Sequence, residues 1–267
     1  MVCKKSKRAQ VTVFVILAIA IVIILLLLFL GRDGFTTLLR GKAPVEKIKD
    51  CVEDYVKEAV DIVSVQGGSL EPEFYYLYKG EKIEYLCYNE ENYKQCVMQK
   101  PLLKQSIEGE IKNYIEPKIK RCMADVKSDL EKDGYEVELS DVGVNVELVP
   151  NNILIGIQSD FSLTKDKTES YKFIKTDVSS NLYELVMIAS SILNWETRYG
   201  DSETMNYMLY YPSVKVEKKI QGDGTKIYTL SVRGSSDSIY LPADTSSLDK
   251  FRFAVRSVVI PSGITGT

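Results

Sequence analysis

The sequence predicts an α+β fold: one apolar N-terminal helix, then a domain of antiparallel sheet with about three helices. Three observations carry this. Residues 11–30 are almost wholly apolar. Residues 44–133 mostly repeat their apolar side chains every three or four positions. Residues 135–260 mostly alternate them every second position, with turn residues between runs.

The N-terminal helix comes first. Residues 11–30 read VTVFVILAIAIVIILLLLFL, with Thr12 the single polar side chain. Twenty helical residues at a rise of 1.5 Å cover about 30 Å, the thickness of a bilayer core. A buried core helix is rarely so uniformly apolar. A cleaved secretory signal would have a shorter apolar run followed by small residues, whereas Gly31-Arg32-Asp33-Gly34 follow here. The helix is therefore expected to stay as a single-pass anchor in the lipid bilayer of the cell membrane. Lys4, Lys5, Lys7 and Arg8 precede it; Arg32, Arg40 and Lys42 follow, offset by Asp33. The leading charges sit in a tail too short to fold. This places the N-terminus in the cytoplasm and the bulk of the chain outside.

The stretch Lys7-Arg8-Ala9-Gln10-Val11-Thr12 resembles an archaeal class III signal, the kind found on type IV pilins and archaellins. That resemblance covers residues 4 to about 30. It implies a prepilin-type peptidase as a partner, cutting between Ala9 and Gln10 on the cytoplasmic side and leaving the helix as the mature N-terminus. Like subunits or other envelope proteins are further partners that it implies. The chain departs from the pilin pattern at Thr12 and Phe14, where many pilins have Ser and Glu. That Glu is thought to pair with a neighbouring subunit's amine during filament assembly. Gly31 and Gly34 also interrupt the helix, each at about 1 kcal/mol relative to Ala. A tether is thus expected rather than a filament spine. The layout is also similar to anchored surface proteins common in small-genome archaea, a likeness that implies no function.

The elements outside follow in order. Residues 31–43 read as a Gly-punctuated tether. Pro44 suits a first helical position, and Val45, Ile48, Val52, Val56, Ala59, Val60 and Val63 mark an amphipathic helix stopped by Gly67-Gly68. Phe74–Tyr78 and Ile83–Tyr88 read as a hairpin across Lys79-Gly80-Glu81. A long helix runs from about Leu102 to Lys132, and Pro117 is expected to kink or split it. Strands are expected around 135–139, 142–148, 153–157 and 171–175. A helix is expected over 181–199, with Asn181 and Glu184 spaced as a capping pair. A hairpin joins 213–220 to 226–233 through Gly222-Asp223-Gly224, and Phe251 to Val259 is the last strand. The expected organisation is a basic leader (1–9), an anchor (10–30), a tether (31–43), a helix-led region with a hairpin (44–133) and a sheet-led region with one helix (134–267).

Five cysteines are present. Cys3 falls on the cytoplasmic side or is lost with the leader, which leaves Cys51, Cys87, Cys96 and Cys122 outside. Even parity outside an anchor points to two disulfides. Cys51 and Cys122 lie on helical stripes and could staple the two helices. Cys87 and Cys96 could close a small loop. Four cysteines allow three pairings, and the sequence does not choose among them.

Composition narrows the function. Lys and Arg number 34 against 37 Asp and Glu, a net charge of −3 without the concentrated basic face that nucleic acid requires. The chain has no His, which removes His triads, His general bases and His-bearing zinc sites. Catalysis would have to run on carboxylates, Lys, Tyr, Ser or Cys. The cysteine spacings lack zinc knuckles, and nucleotide-binding glycine motifs are absent. Asp160, Asp166 and Glu169 read as a solvated turn, not a calcium loop. No catalytic residue, cofactor or metal is expected, and the expected class is a non-enzymatic envelope protein, pilin-like in its anchor. The alternatives are a membrane-tethered ligand- or glycan-binding module and a His-free enzyme. Tyr75, Tyr76, Tyr78, Tyr207, Tyr210 and Tyr211 are the candidate contact residues, because Tyr is common where proteins grip partners.

Overall fold

Helix α1 (Pro44–Val65) buries Ile48, Val52, Val56, Ala59, Val60 and Val63 on one face, the stripe its sequence spacing predicts. The computed structural model describes residues 44–165, 167–233 and 250–260, with Leu17, Ile19, Ile21 and Val22, which are helical and exposed. Among the described residues no helix is long and apolar enough to cross a membrane. The rest of the expected anchor over 10–30, the expected Ala9–Gln10 cleavage point and the expected tether over 31–43 lie outside them. The chain divides into two compact units, Met1–Lys47 and Ile48–Thr267. The second is described below.

Strands β1 (Tyr75–Tyr78) and β2 (Glu81–Tyr88) form the expected hairpin. Its turn is Lys79-Gly80, both at positive φ, as a tight two-residue hairpin turn demands. Short β3 (Val97–Met98) pairs with β2. Helix α2 (Leu103–Lys132) then runs unbroken for 30 residues with Pro117 inside it. Of the expected kink or split, the split does not occur. Pro117 removes one hydrogen bond at a cost of about 3 kcal/mol. Around it Ile111, Ile115 and Ile119 are all fully buried. At about 1.5–3 kcal/mol each, they outweigh the loss and hold the helix together. Leu103, Ile107, Ile111, Ile115, Ile119 and Met123 recur every four residues. Four residues turn the helix by about 400°, so the stripe winds about 40° per step. A winding stripe serves more than one neighbour, and α2 packs on two strands of the second sheet and on another helix.

The second sheet is antiparallel: β4 (Glu136–Leu139), β5 (Gly143–Val149), β6 (Asn152–Thr164) and β7 (Thr168–Ser179). β6 pairs with β5 over its first half, β4 over its last four residues, and β7 along its length. Helix α3 (Leu182–Tyr199) follows. Asn181 makes no side-chain cap; the Ser180 hydroxyl accepts from Leu182 N–H instead. A fourth helix that the sequence reading missed, α4 (Thr204–Tyr210), precedes β8 (Val214–Ile220), β9 (Lys226–Val232) and β10 (Lys250–Arg256).

The first sheet runs β1-β2-β10-β9-β8. It is mixed, because β10 lies parallel to β2 while its other pairings are antiparallel. This corrects the all-antiparallel expectation; the α+β class stands. Helix α3 packs on β2, β3, β9 and β10 and touches β5 of the second sheet. Phe251, Phe253 and Tyr228 are fully buried in the first sheet, with Tyr228 and Phe253 stacked at 5.2 Å.

Two disulfides are present. Cys51–Cys122 joins α1 to α2, and Cys87–Cys96 ties β2 to the loop before β3.

Candidate functional site

The C-terminal end of α3 carries its polar and aromatic residues on different faces. Leu182, Leu185, Ala189, Ile192 and Leu193 are buried on the inner face, and Glu196 extends that face as a fully buried carboxylate. Trp195 and Tyr199 sit four residues apart on the outer face, 50% and 63% exposed, their rings 4.6 Å apart.

The inner face is closed by charge pairing. Lys226 at the start of β9 donates to Glu196 Oε2 at 2.9 Å, to the Gly200 carbonyl and to Asp201 Oδ1. The Tyr228 hydroxyl donates to Glu196 Oε1. Lys218 on β8 donates to both Asp201 oxygens, at 2.9 and 3.0 Å, and to the Ser202 carbonyl. The Ser257 hydroxyl donates to the Glu196 carbonyl and accepts from Cys96 N–H. Burial pushes the Glu196 carboxyl above the usual range, although Lys226 and Tyr228 pull it down. Burial, with the Glu196 charge beside it, also pushes the Tyr228 hydroxyl well up.

The network holds the turn that ends α3. Gly200 is left-handed, with φ 77°, and a Cβ there would stand 1.9 Å from Val258 Cγ2. Only glycine fits, and the chain turns sharply into Asp201, Ser202 and Glu203. Glu203 then caps α4 by accepting from Met205 N–H at 3.2 Å.

Between the outer face of α3 and α4 lies an open cleft of about 580 Å³. Trp195, Tyr207, Tyr210 and Tyr211 line it with Ser191, Ser202, Glu203 and Asn206. The Tyr207 and Ser191 hydroxyls lie 3.1 Å apart. Tyr210 is 82% exposed. The fully buried Ser202 has a hydroxyl without a hydrogen-bond partner among the described residues.

The six tyrosines singled out from sequence fall into two groups. Tyr207, Tyr210 and Tyr211 meet at the cleft, although Tyr207 is buried rather than exposed. Tyr75, Tyr76 and Tyr78 lie on edge strand β1. There Tyr76 and Tyr78 are half-buried against a cluster that includes Ile83 and Tyr85, and Tyr75 is exposed, with the Lys82 ammonium 4.7 Å from its ring centroid. Trp195 and Tyr199 were missed. Their signal is an aromatic pair at helical spacing that lies off the apolar stripe of its own helix.

A second constellation forms where Gly67-Gly68 meets the β1–β2 hairpin. Lys100 pairs with Glu84 at 2.6 Å and also donates to Ser69, whose hydroxyl donates to Glu84. The trio locks strand to loop. Among the described residues no cluster of His, Cys, Asp and Glu is arranged to hold a metal; Asp166 lies outside them.

The described residues define an α+β fold with two disulfides and an open cleft lined by aromatic side chains. No protein-family model matches the chain, and comparison with curated proteins and with solved structures finds no match.

Proposed function

We propose that this chain is a membrane-anchored interaction module of the cell envelope, displayed outside and gripping its ligand with the cleft between α3 and α4. The observation that carries the reading is the gathering of Trp195, Tyr207, Tyr210 and Tyr211 around one open cleft. Exposed large aromatics are costly to leave in water, and surfaces rich in Tyr and Trp are characteristic of contact sites. Two disulfides suit an oxidising exterior. The apolar run over 11–30 and the basic residues before it supply the anchor and its orientation.

Replacing Tyr210 by photoreactive p-benzoylphenylalanine tests the contact face in living cells. Illumination is expected to give a discrete adduct from position 210 and none from a control at Glu71. Equal labelling at both positions rules the cleft out. Mass spectrometry of the mature chain tests the anchor: processing predicts an N-terminus at Gln10, and an intact Met1 removes the peptidase from the account.

A second reading, a pilin-like structural subunit, is favoured by Lys7-Arg8-Ala9-Gln10. It predicts that cells lacking this chain lack a filament.

A further inference from the structure

We propose that the α3–α4 cleft binds a neutral saccharide, an inference that rests on the cleft being the contact face. Sugar rings present two kinds of surface: a C–H face that stacks on aromatic rings, and an edge of hydroxyls that both donate and accept. The cleft offers both. Trp195, Tyr210 and Tyr211 expose ring area. Ser191, Ser202, Asn206 and Glu203 stand among them. An amide donates and accepts, and a carboxylate accepts at several positions even after capping a helix, so each can pair with a ligand hydroxyl.

Charge and hydrogen bonding argue against the near alternatives. No Lys or Arg is among the described lining residues, and Glu203 is the one charged side chain there. An acidic ligand would meet repulsion with no cation to offset it. A quaternary ammonium suits aromatic rings and one carboxylate. It neither donates nor accepts hydrogen bonds, however, and would leave the exposed Asn206 amide without a ligand partner. The cleft of about 580 Å³ lies within the range of small-molecule sites.

Trp195 is the single tryptophan of the chain, so its emission reports on the cleft alone. The full chain is placed in phospholipid nanodiscs free of glycolipid and sugar-headed detergent. It is titrated with maltotriose, cellotriose and N,N′-diacetylchitobiose, and applied in parallel to an array of neutral hexose and N-acetylhexosamine oligosaccharides. Digalacturonate and choline are the comparison probes. At least one neutral saccharide is expected to shift Trp195 emission saturably. Tyr210→Ala and Asn206→Ala, both at exposed positions, are expected to weaken that binding about tenfold while leaving the melting temperature unchanged. Glu203→Gln is expected to admit digalacturonate more readily than the native chain does.

Absence of binding to every neutral saccharide overturns the inference. A response to choline alone does so too, as does a saccharide response that Tyr210→Ala and Asn206→Ala leave intact. The photocrosslinking above separates the two claims. An adduct at position 210 without saccharide binding sinks the ligand class and leaves the contact face standing; no adduct sinks the contact face itself.

Discussion

Lys226 and Glu196 form an ion pair inside the domain, Nζ lying 2.9 Å from Oε2, with Glu196 fully inaccessible to solvent. The pair joins the end of α3 to the start of β9, and the same ammonium reaches the Gly200 carbonyl. It therefore sets where the chain turns toward Glu203 and the cleft. A buried pair contributes little net stability against an apolar replacement, but breaking it leaves one charge uncompensated.

Lys226→Met is accordingly expected to destabilise the domain by about 3–5 kcal/mol. The double variant Glu196→Gln with Lys226→Met is expected to recover part of that loss. Urea unfolding of Lys226→Met, Glu196→Gln and the double variant decides the point; a double variant as unstable as the sum of the single substitutions would show that the two residues act independently.

Asp201 gives a pH dependence of defined sign. Burial pushes its carboxyl up, but the hydrogen bonds and charges of Lys218 and Lys226 outweigh this and hold it below its ordinary value of 3.8. A lowered folded value stabilises above the unfolded value and ceases to do so as pH falls through the folded one. The native chain is expected to exceed Asp201→Asn in stability near neutral pH, the difference vanishing below 3.8. Its size is under about 1 kcal/mol, because the side chain is well exposed and screened. Urea midpoints for both proteins across the acid range test this, and a difference that grew on acidification would contradict it.

Gly200→Ala is expected to cost about 1–3 kcal/mol, since it strains a left-handed residue and also drives a Cβ into Val258. The same change should shift Trp195 emission, because the turn it distorts forms one wall of the cleft. A destabilised variant with native emission would show that turn and cleft are uncoupled.

The two disulfides are expected to differ in worth. Cys51–Cys122 closes a separation of 71 residues and Cys87–Cys96 one of nine. Chain entropy then assigns about 4 kcal/mol to the first and about 2.5 kcal/mol to the second. Thermal unfolding of Cys51→Ser with Cys122→Ser, set beside Cys87→Ser with Cys96→Ser, measures both. The reverse order would place the stabilisation in native contacts instead.

Local elements were legible wherever a short-range pattern carried them. The four-residue recurrence of Ile107, Ile111, Ile115 and Ile119 announces α2, and Gly222-Asp223-Gly224 announces the β8–β9 turn. Three features were not legible. Helix α4 buries one residue, Tyr207, and so has no apolar stripe to read. The parallel pairing of β10 with β2 joins positions some 170 apart, such as Ala254 and Tyr85, and no spacing signals it. Pro117 read as a kink or a split, and the split does not occur because the surrounding side chains are buried, which a local rule ignores.

The sequence by itself determined the α+β class, most helices and strands, the absence of His, and an even set of four cysteines beyond the apolar run. Each follows from composition or from a period of two or 3.6 residues, which is local geometry. Tertiary structure alone decided which cysteines pair, which tyrosines face water, and that Trp195 shares a cleft with Tyr210. It alone brought Lys226 to Glu196 across 30 residues of chain. Those relations depend on how α3 lies on the first sheet, and packing between elements leaves no periodic trace in the chain that makes it.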